Sequence, residues 1–148
     1  MTSSGVVGFE RRREVSSTMK GKLKAILSRR QKTMAAAELR PEADVPPVPA
    51  GVLIPMYEKD GEHFVIFTLR TETVEHHKGQ ISFPGGAFNP GDENLLDTAL
   101  RESFEEIGLF PSDVEVMGEL DDQVTVSNFR ITPFVGFIPY PYTFHPSK

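Results

Sequence analysis

The first pattern of apolar positions along the chain is helical. Apolar residues recur at intervals of three and four from Ser16 or Ser17 to about Ala37, which predicts a helix with one narrow apolar stripe. The stripe consists of Met19, Leu23, Ile26 and Leu27. Lys and Arg surround it, so a transit peptide or a helix lying on an anionic membrane is an alternative. Two nearby Glu residues and the absence of aromatic residues from the stripe favour a basic helix that packs on its own domain.

A second helical pattern runs from Asp92 to Ile107. Asp92 is suited to cap the N-terminus, and Gly108 is suited to end the helix in the left-handed conformation. We expect this helix to lie against the core through one stripe. The predicted stripe contains Leu96, Ala99, Leu100, Ser103, Phe104 and Ile107.

Runs of β-branched and aromatic residues predict strands between and after the helices. A hairpin is expected from residues 50–57 and 63–70, because Asp60 and Gly61 favour a tight turn between them. Polar residues 71–80 predict a loop, and residues 81–83 predict a short strand that ends at Pro84-Gly85-Gly86. Later strands are expected at 114–118, 123–126 and 131–139, with Pro133 at a sheet edge or a bulge.

Prolines divide the chain into two parts. Pro41, Pro46, Pro47 and Pro49 mark an extended linker that ends the first helix. We therefore expect an N-terminal part, residues 1–45, that holds the basic helix and the Pro-rich linker. Residues 46–148 are expected to form the folded domain.

Composition and charge narrow the class of protein. The 148 residues suit one domain, the mean hydropathy is −0.26, and no apolar run reaches the ~18 residues of a membrane-spanning helix. The chain has no cysteine, which excludes disulfides and a thiol nucleophile and is compatible with the cytoplasm, where we expect the protein. Lys and Arg outnumber Glu ten to three in residues 1–40, whereas acidic residues outnumber basic ones eighteen to six in residues 41–148. Because the acidic part lacks the cation cluster that nucleic acids require, we expect no nucleic-acid partner.

The strongest candidate for chemistry is an acidic triplet, Glu102, Glu105 and Glu106. At ~100° per residue the three side chains fall on one face of the second helix, where Arg101 is the only cation. Gathered carboxylates suit a hard divalent ion such as Mg²⁺ or Mn²⁺, although a solvated acidic face would show the same spacing. The glycine pair at 85–86 favours the metal site, because bare backbone can approach a ligand and offer carbonyl oxygens.

The whole segment resembles the signature motif of the Nudix hydrolase family. The residues that carry the resemblance are Glu93, then seven residues, then Arg101-Glu102-x-x-Glu105-Glu106-x-Gly108-Leu109. Two positions depart from the motif. Six residues separate Gly86 from Glu93 where the motif has five, so either the loop is longer or the pairing shifts to Asp92. Ser103 stands where the family has an apolar residue.

The resemblance implies an α/β/α sandwich with a mixed β-sheet, the Nudix fold, preceded here by the basic helix. It also implies hydrolysis of a diphosphate in a small-molecule substrate, with Mg²⁺ or Mn²⁺ as cofactor. The implied metal ligands are Glu102, Glu105, Glu106 and the Gly86 carbonyl. The implied catalytic residues are Glu102, Arg101 and Glu105, with Glu102 as a ligand, a water holder or the general base and Arg101 orienting a carboxylate of the triplet.

Residues upstream resemble a further signature, that of the coenzyme A pyrophosphatase subfamily. These residues are Thr68-Leu69-Arg70-Thr71 and His77-x-Gly79-Gln80-x-x-Phe83-Pro84-Gly85-Gly86. The resemblance implies hydrolysis of CoA or acyl-CoA to 4′-phosphopantetheine, or its acyl form, and adenosine 3′,5′-bisphosphate. The implied substrate-binding residues are Arg70, His77, Gly85 and Gly86.

Two other functions stay open. Glu75 stands where the subfamily usually has Arg or Gln, which favours a Nudix hydrolase for ADP-ribose, NADH or another nucleotide. The other alternative is a Nudix-fold binding module without turnover. Family members usually continue with a further helix, whereas this chain ends in a Pro-rich aromatic run, residues 140–148. We therefore expect a domain cut short at its C-terminus, with a strip of sheet that a homodimer would cover.

Overall fold

The computed structural model describes residues 18–32, 44–69 and 80–147. The described residues form two α-helices, eight strands and one 3₁₀ turn. In chain order the elements are α1 (Met19–Arg29), β1 (Val48–Lys59), β2 (Glu62–Val65), β3 (Thr68–Leu69), β4 (Ile81–Ser82), β5 (Gly85–Ala87), α2 (Leu95–Ile107), the 3₁₀ turn (Pro111–Asp113), β6 (Glu115–Glu119), β7 (Gln123–Val124) and β8 (Phe129–Phe137). Within the described ranges, no helix has the length and apolar character needed to cross a bilayer.

Six of the strands form a mixed sheet in the order β2-β1-β8-β6. β1 and β8 are parallel neighbours, and β1 also pairs with β2 and β5 in antiparallel fashion. β7 extends the sheet by pairing with the first part of β8. β3 and β4 form a separate two-stranded ribbon. β1 therefore lies at the centre of the sheet, with β5 along one edge and β8 along the other.

Helix α2 covers one face of this sheet. It begins at Leu95, because the Asn94 side chain accepts a hydrogen bond of 3.0 Å from the Asp97 amide, and it ends at Gly108 in the left-handed conformation, as predicted. The prediction that Asp92 caps the helix is wrong. The carboxylate of Asp92 turns instead toward the middle of α2.

The predicted stripe of α2 is buried at its centre. Ala99 and Ser103 are fully buried, and Ile107 packs in the same core cluster as Leu53 of β1. The prediction that Phe104 is buried is wrong, since its side chain is 44% exposed and packs against the ring of Phe110. Ser103 replaces the apolar residue of the motif at little cost, because its hydroxyl donates to the Ala99 carbonyl at 2.7 Å.

Helix α1 covers the opposite face, so the predicted α/β/α sandwich with a mixed sheet is confirmed. Leu23 and Leu27 pack against a second core cluster, which consists of Met117, Val135 and Phe137. The prediction that the basic helix packs on its own domain is confirmed as well. The predicted end near Ala37 is wrong, because the helix ends at Arg29; residues 33–37 lie outside the described ranges.

The first predicted hairpin is confirmed, but its second strand is interrupted. Asp60 and Gly61 both have positive φ, as a tight turn between β1 and β2 requires. After Val65 the chain leaves the main sheet and forms β3 of the ribbon. The short strand predicted at 81–83 is confirmed as β4, which ends at Ser82, before Pro84; the chain then forms a further strand, β5, at residues 85–87, which was not predicted.

Pro133 lies in the central strand β8, so its predicted edge position is wrong. Its carbonyl accepts a 2.8 Å hydrogen bond from Leu120 at the gap between the pairing segments of β6 and β7. In a strand, the N–H and the C=O of one residue point toward the same neighbouring strand. The N–H that proline lacks would therefore point into the gap between β6 and β7, where no strand residue needs it as a hydrogen-bond donor. A register irregularity does occur in this sheet, between Val116 and Gly118 of β6, but it lies opposite Val135 and Gly136 of β8 and away from Pro133.

The segment that follows β8 is extended and packs on α2. Tyr142 and Phe144 contact the core cluster that contains Leu53. The amides of His145 and Ser147 donate to the last carbonyls of α2 at 2.8 Å. The predicted division into residues 1–45 and 46–148 and the homodimer stay predictions.

Candidate active site

Arg101 is the centre of a network of ion pairs between α2 and the loop that follows β5. Its Nε donates to Asp92 Oδ1 at 2.7 Å, and its Nη2 donates to Asp92 Oδ2 at 3.0 Å. This is a bidentate salt bridge, which fixes the plane of the guanidinium as well as its position. The remaining nitrogen, Nη1, faces the acidic triplet.

Asp92 is buried, and two further contacts hold its carboxylate. It accepts hydrogen bonds from the Thr98 hydroxyl at 2.8 Å and from the Asn89 amide at 3.0 Å. The Arg101 guanidinium and these donors hold the pKa of Asp92 well below its usual range, although burial opposes the shift. Asp92 in turn raises the pKa of Arg101, so both groups are charged throughout the neutral pH range.

These contacts decide between the two alignments of the motif that the sequence left open. Asp92 takes the place of the motif's first acidic residue as the partner of Arg101. Glu93 is exposed, and its amide donates to Asp97. The spacing in the sequence allowed both alignments, because five residues separate Gly86 from Asp92 as the motif requires, whereas it is Glu93 that lies the required seven residues before Arg101.

Two carboxylates of the triplet meet Arg101. Its Nη1 lies 2.9 Å from Glu102 Oε1 and 3.3 Å from Glu105 Oε2. The Glu102 side chain is mostly buried, whereas that of Glu105 is 55% exposed. Arg101 therefore reduces the repulsion between the two carboxylates and orients Glu102, as the resemblance implies.

Gly86 lies directly against the Glu102 carboxylate. A Cβ atom added at Gly86 would stand 2.6 Å from Glu102 Cδ, closer than real side chains approach each other. Gly85 is equally confined, since a Cβ there would meet the backbone of β1. Both glycines are therefore required by close approach, Gly85 to β1 and Gly86 to the acidic face.

The donor set fits a hard divalent cation in its chemistry. The Glu102 carboxylate faces bare backbone at Gly86, and Glu105 and Glu106 belong to the same acidic helix. In the described part of the chain, however, no three His, Asp or Glu side chains are already gathered in metal-binding geometry. A cation would therefore compete with Arg101 Nη1 for Glu102 and Glu105.

The other predicted site residues have different outcomes. Glu106 is half-buried, and its main-chain carbonyl binds the Ser147 amide. Arg70 and His77, the predicted phosphate-binding residues, lie outside the described residues.

Comparison with known proteins identifies the family. Residues 47–146 match a family model described as the NUDIX domain. An uncharacterized Nudix hydrolase NudL of Yersinia enterocolitica is 42% identical over 96 residues, which are 65% of this chain and 49% of the relative. NudL of Klebsiella aerogenes is 39% identical over 68% of this chain and 86% of its own length. Mouse peroxisomal coenzyme A diphosphatase NUDT7 is 36% identical over 65% of this chain and 41% of its own length.

Solved structures agree on the fold. A Caenorhabditis elegans Ap4A hydrolase matches with a TM-score of 0.57 at 15% identity, over 66% of this chain and 71% of that one. A MutT protein of Methanosarcina mazei matches with a TM-score of 0.51 at 22% identity, over 72% and 73% of the two chains. The chain spans about half of the length of the Yersinia relative and less of the mouse relative, so these matches cover only part of each. The family model covers more than half of the chain, and the chain belongs to the Nudix hydrolase family.

Proposed function

We propose that the protein hydrolyses the diphosphate of coenzyme A or acyl-CoA. The products would be 4′-phosphopantetheine, or its acyl form, and adenosine 3′,5′-bisphosphate. The observation that supports hydrolysis is the Asp92–Arg101–Glu102 arrangement beside Gly86. The CoA assignment is supported by the residues at 68–71 and 77–86 and by the similarity to the mouse CoA diphosphatase.

The family generally uses divalent metal ions, and we assign Mg²⁺ or Mn²⁺ to the acidic face of α2. Glu105 and Glu106 would be direct ligands, with Glu102 and the Gly86 carbonyl completing the donor set. When bound, such an ion neutralises charge on the non-bridging phosphate oxygens and lowers the pKa of the attacking water. The exposure of Glu105 leaves this face open to a diphosphate from solvent.

The chain itself would position the reacting groups. The paired contacts from Asp92 fix Arg101, and Arg101 fixes the Glu102 carboxylate against Gly86. Held in this way, Glu102 would act as a metal ligand, as a holder of the attacking water, or as the general base that accepts its proton. The backbone of Gly85 and Gly86 would lie against the substrate, and Arg70 and His77 would bind its phosphates.

A substrate panel tests the proposal. The protein is incubated with CoA, ADP-ribose, NADH and a nucleoside triphosphate, each with Mg²⁺ and with Mn²⁺, and products are separated by chromatography. Release of adenosine 3′,5′-bisphosphate from CoA at a higher kcat/KM than the other turnovers supports the proposal. Preferred turnover of ADP-ribose or another nucleotide contradicts the CoA assignment and leaves the hydrolase. No turnover with either metal supports a binding module.

Substitutions at the triplet separate chemistry from folding. Glu102→Gln, Glu105→Gln and Glu106→Gln should each lower kcat by about a hundredfold or more, and the last two should also weaken metal binding. Glu62→Gln, on the distant strand β2, removes one exposed carboxylate and is the matched control. Equal losses in all four variants would contradict the assigned roles.

A further inference from the structure

The chain returns to α2 after β8 and pairs with the end of that helix. We call residues 142–147 the return segment. The amide of His145 donates to the Ile107 carbonyl, and the amide of Ser147 donates to the Glu106 carbonyl, both at 2.8 Å. Because a helix that ends at Ile107 offers these carbonyls no partner of its own, the return segment supplies their donors.

Tyr142 fastens the return segment to the domain outside α2. Its hydroxyl accepts a hydrogen bond from the Phe110 amide at 3.0 Å and donates one to Asp113 Oδ2 at 2.8 Å. The rings of Tyr142 and Phe144 also pack against the core cluster that contains Leu109. The return segment is therefore anchored independently of the helix end with which it pairs.

The paired end of α2 carries two of the proposed metal ligands. Glu105 and Glu106 belong to the last turn of the helix, whereas Glu102 lies nearly one turn earlier and is held by Arg101. The last turn of a helix frays, because its carbonyls lack intrahelical partners. An open last turn would take Glu105 and Glu106 away from the acidic face and leave Glu102 in place.

Two separate devices close this helix end. The Gly108 amide donates to the Phe104 carbonyl at 2.9 Å from within the left-handed turn. The carbonyls of Glu106 and Ile107, which lie further along, depend on the return segment. The two devices touch each other, since a Cβ atom added at Gly108 would stand 2.9 Å from His145 Cβ. The return segment therefore packs directly on the turn that holds the two carboxylates.

We infer that the return segment is a positioning element, which keeps Glu105 and Glu106 in place for the divalent cation. This inference rests on the proposed function, because it takes these carboxylates as metal ligands. Each backbone hydrogen bond changes the population of an open turn by about fivefold, so losing both changes it by about twenty-five-fold. A last turn that is open in about one molecule in ten would then be open in about three of four, and the apparent Kd for the cation would rise about threefold.

The first test removes the two donors and keeps a matched control. His145→Pro/Ser147→Pro deletes both amide hydrogens, whereas His145→Ala/Ser147→Ala removes the same side chains and keeps the amides. Binding of Mn²⁺ is titrated well below the melting temperature, with the free ion followed by electron paramagnetic resonance. The Kd for Mn²⁺ should rise about threefold in the proline variant and should stay at the wild-type value in the alanine variant.

The second test uses wild type alone and reads the coupling in the opposite direction. If the return segment stabilises the metal site, the cation must stabilise the return segment by the same factor. At a Mg²⁺ concentration of about ten times Kd, hydrogen exchange at the amides of His145 and Ser147 should slow about tenfold. The Asn128 amide, which bonds to Thr125 in the turn between β7 and β8, is the control and should exchange at an unchanged rate.

The outcomes separate the inference from the proposed function. Equal Mn²⁺ affinity in the proline and alanine variants overturns the positioning role and leaves the metal site intact. Equal weakening in both variants assigns the effect to the side chains and overturns it as well. If the proline variant does not fold, hydrogen exchange decides, and exchange that ignores Mg²⁺ overturns the inference. Wild type that binds no Mn²⁺ contradicts the proposed metal site itself, and the inference fails with it.

Discussion

Arg101 connects the loop after β5 to the acidic face of α2. Its guanidinium binds a buried carboxylate with two nitrogens and two partly exposed carboxylates with the third. A residue with a single point charge, such as Lys, could not make these contacts in fixed directions. The orientation of Glu102 therefore depends on Asp92, which acts on it through Arg101.

The acid sensitivity of the fold should reflect Asp92. In the unfolded chain an Asp binds its proton near pH 4, whereas the folded pKa lies well below that range. The ionised pair therefore stabilises the fold fully above about pH 4, and this contribution is lost as the pH falls toward the folded pKa. Asp92→Asn should be less stable than wild type at pH 7, and the difference should shrink between pH 4 and pH 2.

Urea unfolding at a series of pH values measures this difference. Asp44→Asn, which changes an exposed carboxylate ahead of β1, is the control and should follow the wild-type curve. A constant difference between Asp92→Asn and wild type from pH 7 to pH 2 would show that the pair does not titrate as described.

Gly86→Ala should remove activity and keep the fold. The three atoms nearest to the added methyl group would all belong to the end of the Glu102 side chain, which can move aside. Displacing this carboxylate should lower kcat/KM by about a hundredfold, while the melting temperature changes little. Gly91→Ala is the control, because its nearest contact would be 3.6 Å away. Full activity in Gly86→Ala would exclude Glu102 from the reaction.

The residues of the site differ in how far the sequence predicts them. The triplet follows from the helical period alone, because the three positions share a face in any helix of that register. The partner of Arg101 does not, since it depends on how the loop from Ala87 to Asn94 folds back on α2. Only the family spacing indicated Asp92, and it did so as one of two alternatives.

At the scale of elements, the site depends on how closely α2 approaches β1. The approach is closest at Gly51, where a Cβ atom would stand 2.2 Å from the carbonyl oxygen of Leu95. The same strand holds β5 along its edge and thereby places Gly86 beside α2. The position of the acidic face relative to the glycine pair is set by this one strand.

Gly51→Ala should therefore damage the fold itself. The new methyl group meets main-chain atoms of α2, which can move only if the helix shifts as a whole. We expect a loss of about 3 kcal/mol, equivalent to a fall in melting temperature of about 10 °C. Calorimetry of Gly51→Ala beside Gly86→Ala and Gly91→Ala checks this contrast. Similar melting temperatures in all three would show that the helix has room to move.

The elements whose apolar residues recur with a clear period in the sequence were predicted, whereas the strands that form only by pairing with another part of the chain were not. Both helices and the hairpin turn follow from spacing and turn residues. The strand β5 contains two glycines and is formed by its pairing with β1, so no local preference indicates it. The break between β2 and β3 likewise depends on tertiary contacts, since residues 63–70 read as one run of strand-forming residues.

At the scale of the whole molecule, the uneven charge of the chain has a structural basis. The basic helix α1 and the residues directly after it lie on the acidic part and form ion pairs with strand β6 and the turn after it. The pairs are Lys20 with Glu115, Arg30 with Asp121, and Lys32 with Glu119 and Asp122. Lys20 also lowers the pKa of Glu115. Part of the net negative charge of residues 41–148 is thus neutralised within the chain.

The attachment of α1 should weaken at high salt. Each partly exposed ion pair contributes little to the free energy that holds α1 on the domain. The pairs of the three basic residues together contribute about 1.5 kcal/mol, so their loss should raise the population of molecules with a detached helix about tenfold. The apolar contact of Leu27, whose Cβ lies close to Gly118, should contribute about 2 kcal/mol and persist in salt. Raising NaCl from 0.02 M to about 1 M should therefore speed tryptic cleavage at Lys22 and Lys24, after normalising to a free peptide substrate.

Two variants separate the contributions to this attachment. Leu27→Ala should be cleaved faster than wild type at both salt concentrations and should keep the salt dependence. Arg30→Ala/Lys32→Ala should be cleaved faster at low salt and lose most of that dependence, because only the Lys20–Glu115 ion pair remains in this variant. Cleavage of wild type that does not change with salt would show that the apolar stripe alone holds the helix. The charge separation along the sequence would then serve solubility and would have no part in joining the two layers.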